Sequence, residues 1–377
     1  MSKPNSILFK IVLGLFLFAV SFSSFAQATF KGTVADMESG KGIPYATVFL
    51  ANTTFGTSTD EEGKFSIDLP AGNYEVIIRI LGYQSLTFNL PVSTIKPQGY
   101  RFLLVPIDED LEELRVNDTR DPAWYRNLED FKRYFLGTSK NGEATKIENE
   151  LSLVLDDISE PGTLIASSRD ILKIKNPNLG YGLDYLLNDF RNNYRQGFVT
   201  YAGYPLFIPD STLSTSKQRR VEKNRLEAYY GSLQHFIRSV YFGKSVAEGY
   251  EIRRLYRKVD PIRPGKFIDS VANTPITSLA IRENRETREF LEFEGHLLIT
   301  FLNEKESPQY VLGIGRGVRK FQNSIIRMTT NSLEIFENGS LSDPLGLIVE
   351  GYMGWERVGD LLPIDYSPPS EFKRGVQ

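Results

Sequence analysis

The chain has 377 residues, a formal charge of −3, 24% charged and 41% hydrophobic residues, and 46 aromatics spread over 25 Phe, 19 Tyr and 2 Trp. This composition excludes collagen-like, disordered and coiled-coil classes, and a weakly acidic chain is a poor match for nucleic acid. With no Cys there is no disulfide framework, thiolate metal site or Cys nucleophile.

Residues 1–26 read as an export leader. Lys3 and Lys10 supply positive charge, Ile11 to Val20 form an apolar run, and Ser24 and Ala26 give a small-x-small cleavage signal before Gln27. Ten apolar residues are too few for a membrane span, which needs about 20, and no later stretch comes close, so the mature chain is expected to have no transmembrane helix. The expected location is the periplasm or the outer membrane.

From Thr29 to Val105 apolar residues alternate with period two, and turn residues interrupt them every few positions, as in an all-β domain. Asp60 and Gly63 mark one tight turn, with Asp60 bonding the backbone ahead and Gly63 taking positive φ. Phe65, Ile67 and Leu69 are expected to point one way along a strand, and Tyr74, Val76, Ile78 and Ile80 form the longest inward row. The motif order Gly32-x-Val34-x-Asp36, Gly40 to Pro44, Ala46-x-Val48, Gly56-Thr57-x-Thr59-Asp60-x-x-Gly63-x-Phe65-x-Ile67-x-Leu69-Pro70-x-Gly72-x-Tyr74 and Gly82-Tyr83 resembles the carboxypeptidase-regulatory-like domain. The resemblance implies a transthyretin-like, seven-stranded β-sandwich over residues 27–105. It also implies a non-catalytic module, the companion of the zinc domain in metallocarboxypeptidases and a frequent N-terminal neighbour of receptors in Gram-negative envelopes.

Residues 106–120 are rich in Asp and Glu and read as an exposed acidic linker. Within it, Leu111 to Val116 resembles the segment that leads into the plug of TonB-dependent receptors. A 22-stranded barrel would need on the order of 220 residues in strands alone, besides a plug and loops. The residues after Val105 cannot supply that, and the chain closes on Gly375-Val376-Gln377 without a barrel's terminal aromatic. Association with such an uptake system is the expectation that remains.

Residues 121–377 read as a larger α+β domain with more strand than helix. Asp121 caps a helix through Phe135, with Pro122 at its first position and Trp124, Leu128, Phe131 and Phe135 on one face. A short helix is expected near Leu183 to Phe190, and one long helix over Arg219 to Phe242. On that helix His235 falls opposite the Leu226, Tyr230, Ile237 stripe, near the surface. Strand-type runs follow at Phe290 to Leu302, Gln309 to Ile314, Ser324 to Phe336 and Gly346 to Tyr352. Segments such as Asp121-Pro122-Ala123-Trp124, Tyr201-Ala202-Gly203-Tyr204-Pro205 and Gly351-Tyr352-Met353-Gly354-Trp355-Glu356-Arg357 resemble a group of exported Gram-negative proteins that carry the same first module. That resemblance brings no catalytic residues with it.

Chemistry is sparse. His235 and His296 are the two histidines, and neither begins a His-x-x-Glu pair, so no metal site and no cofactor are expected. Ser214 to Lys217 matches Ser-x-x-Lys without its usual partners. Asp156 with Asp157, and Glu292 with Glu294, are the carboxylate pairs that a glycoside hydrolase would need, although surface polar rows account for such pairs more simply. Tyr181, Tyr201, Tyr204 and Trp355 are the candidate ligand or partner surface, since aromatic faces stack on sugar rings and fill interfaces. The reading is therefore an exported, non-catalytic binding or accessory protein whose partner is an outer-membrane protein or an envelope glycan. The alternative is a carboxylate-based peptide or glycan hydrolase.

Overall fold

A computed structural model describes residues 28–70, 72–107, 120–263, 265–282, 288–312 and 314–369. The leader expected over 1–26 and most of the acidic linker lie outside the described residues.

The first seven strands are β1 (Ala28–Asp36), β2 (Thr47–Leu50), β3 (Gly56–Ser58), β4 (Lys64–Leu69), β5 (Asn73–Arg79), β6 (Leu86–Pro91) and β7 (Tyr100–Leu104). They make two facing sheets, ordered β4-β1-β7 and β3-β2-β5-β6. Strand alternation explains the packing: along β4, Phe65, Ile67 and Leu69 are buried while Ser66 and Asp68 are exposed. Phe30 is fully buried among Phe65, Phe88, Tyr100 and Phe102, with ring centres 5.1–6.2 Å away. Asp60 accepts from the backbone N–H groups of Glu62 and Lys64, and Gly63 has φ +80°. A Cβ on Gly63 would stand 2.4 Å from the Val34 carbonyl oxygen, so this turn requires glycine.

The second region opens with helix α1 (Pro122–Phe135). The Asp121 carboxylate accepts from the Trp124 N–H at 2.7 Å, and Trp124, Leu128, Phe131 and Phe135 are buried, as their spacing predicts. Short helix α2 (Lys140–Ala144) follows, then β8 (Lys146–Ile147), β9 (Leu153–Asp156), β10 (Thr163–Ser168), β11 (Leu172–Asn176), β12 (Tyr181–Asn193) and β13 (Phe198–Pro209). These strands form a six-stranded sheet under α1, where Phe131 and Phe135 meet Phe190 and Tyr185.

The helix expected near Leu183 to Phe190 is part of strand β12. Leu183, Tyr185 and Leu187 alternate with less buried neighbours, and a bulge between Leu187 and Asp189 resets the phase so that Phe190 also points inward. The long helix expected over Arg219 to Phe242 is two: α3 (Thr215–Tyr229) and α4 (Leu233–Tyr241). Gly231 at φ +85° breaks the run, and the Ser232 side chain caps α4 by accepting from the His235 N–H.

The remaining strands are β14 (Tyr250–Val259), β15 (Phe267–Ile276), β16 (Ala280–Arg282), β17 (Glu289–Leu291), β18 (His296–Phe301), β19 (Gln322–Met328), β20 (Leu333–Ile335) and β21 (Leu347–Gly351). They form one sheet ordered β15-β14-β18-β19-β21 and a small one, β16-β17-β20. Where a strand was expected at Gln309 to Ile314, Ser307 caps a single helical turn, α5 (Pro308–Val311), with Pro308 in its first turn. Helix α6 (Tyr352–Trp355) follows β21. The architecture is thus a seven-stranded β-sandwich followed by a β-rich α+β region.

The sandwich is joined to that region by direct contact. Its sheet β3-β2-β5-β6 buries Val48, Val76 and Ile78 inward, and it also buries Phe49 and Ile77 on the opposite face. A strand buried on both faces must be covered twice. The second cover is Leu186, Tyr204 and Leu206 of β12 and β13, packed on Phe49, Ala51 and Ile77. Backbone hydrogen bonds close the seam: the Asn52 N–H donates to the Pro205 carbonyl at 2.7 Å, and the Phe207 N–H to the Thr53 carbonyl at 2.8 Å. From the far end of the chain, the Ile364 N–H donates to the Asn52 carbonyl at 2.7 Å, while Asp365 accepts from the Thr54 N–H and hydroxyl.

Candidate functional site

Two of the four sequence-selected aromatics, Trp355 and Tyr201, converge on one place, helix α6 and the turn that follows it. Gly351 enters it at φ +80°, where a Cβ would lie 2.6 Å from the Asn323 carbonyl oxygen. Helix α6 then gathers Tyr352, Trp355 and Tyr310 with ring centres 5.1–5.5 Å apart. The Trp355 indole N–H donates to the Thr138 hydroxyl at 2.9 Å, tying this group to the end of α1. Tyr201 hydrogen-bonds Arg357, whose guanidinium lies 6.0 Å from its ring centre, and also packs edge-on against Phe135.

Carboxyl groups that the sequence reading passed over sit beside these rings. Asp360 ends a 3-10 turn, Val358–Asp360, and accepts from the Ser139 hydroxyl at 2.7 and 2.8 Å and from the Asn141 amide at 3.0 Å. The turn presses backbone against backbone: a Cβ on Gly359 would be 2.4 Å from the Gly142 Cα. Burial pushes the Asp360 carboxyl up, and the Ser139 and Asn141 bonds oppose that rise. Burial pushes Glu356 well above the usual carboxylate range, and Asp360 and Glu304 add to the shift. Part of the Glu356 residue remains accessible, and among the described residues its carboxyl has no hydrogen-bond partner. A carboxyl raised in this way holds its proton to higher pH, and while protonated it can donate a hydrogen bond or a proton. The hint in the sequence was the four-residue spacing of Glu356 and Asp360 across a Val-Gly pair.

The other selected residues lie elsewhere. Tyr181 is in the core rather than on a surface, 5% exposed, with the Arg225 guanidinium 4.0 Å from its ring centre. Burial pushes its phenol up to about 12. Tyr204 lines the seam and hydrogen-bonds Glu75 of the sandwich; burial pushes both groups up. His235, expected near the surface, is buried, because the break at Gly231 resets the helical phase. Its Nδ1 accepts from the Gly231 N–H at 3.2 Å and lies 2.8 Å from the Tyr250 hydroxyl, inside a ring of Tyr229, Tyr230, Tyr250 and Phe301. His296 stands opposite Arg327 across β18 and β19.

Asp156 accepts from the Ile158 and Ser159 N–H groups in an exposed turn, and Glu292 and Glu294 are exposed. Neither pair lies in the Tyr352–Asp360 turn. Ser214 precedes α3, with Lys217 exposed. Among the described residues no group of three or more His, Asp or Glu side chains is placed to hold a metal ion, and no helix is long and apolar enough to cross a membrane.

The model of the family described as CarboxypepD_reg-like domain matches residues 30–116. The sandwich is a CarboxypepD_reg-like domain. The match extends past Val105, where the alternation ends, into residues outside the described set. That module is not catalytic by itself, so any chemistry falls to the rest of the chain.

No curated protein matches the chain. Among solved structures, 3-chlorocatechol 1,2-dioxygenase from Rhodococcus opacus 1CP is similar at 18% identity over 22% of this chain and 62% of its own, with a TM-score of 0.18. This chain therefore spans under two thirds of that enzyme's length. A protein of unknown function from Bacteroides fragilis NCTC 9343 is similar at 9% identity over 86% of this chain and 95% of its own, TM-score 0.18. A 9R-lipoxygenase from Cyanothece PCC8801 is similar at 11% identity over 64% and 52%, TM-score 0.16. At these scores none bears on fold or activity.

Proposed function

We propose that this chain is an exported, envelope-associated binding or accessory protein, linked to outer-membrane uptake systems and acting through contact rather than catalysis. The observation that carries this reading is the seam between the CarboxypepD_reg-like domain and the α+β region. A non-catalytic module held by β13 and by Ile364–Asp365 presents one continuous body to a partner, where a loosely tethered module would move separately. The leader pattern in residues 1–26 supports export. Cell fractionation followed by affinity capture from envelope fractions tests the reading. Recovery with the envelope, together with an outer-membrane protein or an envelope glycan, is the expected result, and a cytosolic protein that captures neither would end it.

A second reading has its own support. The Glu356 carboxyl, raised by burial with Asp360 adding to the shift, is the kind of acid a carboxylate-based peptide or glycan hydrolase would use. Asp360, however, already accepts from two donors, the Ser139 hydroxyl across both its oxygens and the Asn141 amide. Turnover of peptide or glycan substrates that is lost in Glu356→Gln would establish this reading over the first.

A further inference from the structure

Strands β14 and β15 run past the sheet they belong to. The pairing of β14 with β18 stops at Leu255 opposite His296, while β14 and β15 continue through Tyr256–Ser270, Arg257–Asp269, Lys258–Ile268 and Val259–Phe267. These four rungs make a two-stranded ribbon about 13 Å long, with a turn beyond it. Two-stranded hairpins are marginal in water by themselves. This one is braced at its base, where Arg257 donates to both oxygens of Asp269 at 2.9 and 3.0 Å and to both oxygens of Glu350 at 2.9 Å.

Each face of the ribbon carries two exposed apolar residues, interleaved with the Arg257–Asp269 pair on one face and with Lys258 and Ser270 on the other. Val259 and Phe267 share one face, Tyr256 and Ile268 belong to the other, and Ile262 caps the turn. These five are 50–86% exposed, with Ile262 the highest. Exposed apolar groups gathered in this way mark an interaction site. A folded partner docking on one face would leave the other face and the tip in water. End-on insertion into a lipid surface covers both faces and the tip together.

The charges agree with that geometry. Lys258 and Lys266 flank the apolar tip and have no ion-pair partner among the described residues. Asp260, the acidic residue of the turn, is spent internally, accepting from the Ile262 and Arg263 N–H groups and from the Arg263 Nε at 2.6 Å. On a chain whose overall charge is −3, the free charges at this tip are positive, complementary to anionic headgroups. A second copy meeting it tip to tip would set Lys258 and Lys266 against their own kind, and Pro275 interrupts the N–H row that edge-to-edge pairing of β15 would use.

We infer that the β14–β15 hairpin inserts its tip into the interfacial region of an anionic lipid surface. This deepens the envelope reading by naming the surface the protein rests on. The test uses the protein from Gln27 onward, so that the apolar run 11–20 contributes nothing. It is sedimented with phosphatidylethanolamine/phosphatidylglycerol vesicles and with phosphatidylcholine vesicles. The expected result is partition onto the anionic vesicles that weakens with salt, and a loss of about tenfold or more in Ile262→Asp, because the most exposed apolar side chain of the tip is replaced by a charge that anionic headgroups repel. Lys258→Glu with Lys266→Glu should weaken partition at low salt, and Ile262→Trp should shift its emission to the blue on anionic vesicles. Equal partition by wild type and Ile262→Asp, or no partition by either, overturns the inference. So does a dimer in size-exclusion chromatography that Ile262→Asp dissociates, because a second copy would then cover the tip. Capture of a partner from envelope fractions is scored separately, so failure of the vesicle test leaves that reading standing.

Discussion

Strand β5 and the β14–β15 hairpin carry the same kind of residue into opposite surroundings. Ile77 on β5 points away from the sandwich core and is fully buried, because β12 and β13 cover it. Ile268 on β15 lies where the hairpin runs past the rest of its sheet and is half exposed. Both strands are apolar on two faces, and sequence alone would assign them alike. The difference teaches that an apolar outer face says that something covers it, without saying whether the cover belongs to the same chain. At the seam the cover is in cis. At the hairpin it has to come from outside.

The most damaging way to probe this contrast is at the seam. Phe49→Ala opens a cavity between Phe49, Ala51, Ile77 and their β12–β13 cover, at a cost of about 3–5 kcal/mol. If the seam makes one cooperative unit, denaturant unfolding followed by tyrosine fluorescence and by circular dichroism will still show one coincident transition, moved to lower denaturant. Two separated transitions, with the sandwich unaffected, would mean that the cover is dispensable and the contrast with the hairpin is one of degree.

A titratable version of the contrast follows. Glu356 is raised by burial, whereas Asp260 at the hairpin turn is lowered by the Ile262 N–H and by Arg263. For Glu356 the folded protein binds the proton more tightly than the unfolded chain does. Its stabilising contribution is therefore complete below the ordinary glutamate value and is lost as pH rises through the raised one. Asp260 runs the other way, stabilising above the ordinary aspartate value and losing that contribution as pH falls. Glu356→Gln should consequently gain stability over wild type at neutral pH, with the gain shrinking toward acid, as read from urea midpoints across the pH range. Asp260→Asn should lose stability at neutral pH and approach wild type in acid.

A smaller effect is expected at Tyr204, where Tyr204→Phe removes the hydrogen bond to Glu75 across the seam. The cost is about 0.5–1.5 kcal/mol, measured by the same midpoints, and Glu75 should titrate higher still without that donor.

Much of the fold was legible because local rules agreed with one another. The sandwich could be read from alternation and from turns such as Asp60 to Gly63, and α1 from its cap, its first-turn proline and its four-residue stripe. The reading failed where a single residue changed the phase. The bulge between Leu187 and Asp189 lets a strand imitate helical spacing around Phe190, and Gly231 splits one apparent helix into two and turns His235 inward. The candidate site was less legible still. Tyr181 and Tyr204 were selected as aromatic faces, but the Arg225 stack and the cover over Phe49 consume them, and both depend on contacts between distant segments. Glu356 and Asp360 were passed over because a carboxyl is set apart by desolvation, which only the folded chain supplies.

The smallest expected effect is the sharpest control on the comparison. Ile262→Ser removes the most exposed apolar side chain of the hairpin, a residue that buries almost nothing in the folded monomer. Such surface changes usually stay within about 0.5 kcal/mol, so its urea midpoint should match wild type while Phe49→Ala is strongly shifted. A loss of stability approaching that of Phe49→Ala would mean that the tip is packed within the chain after all, and the hairpin would then be covered in cis like the seam. An unchanged midpoint leaves the isoleucine with no work to do in folding, and the reason for carrying it has to be sought in whatever the hairpin touches.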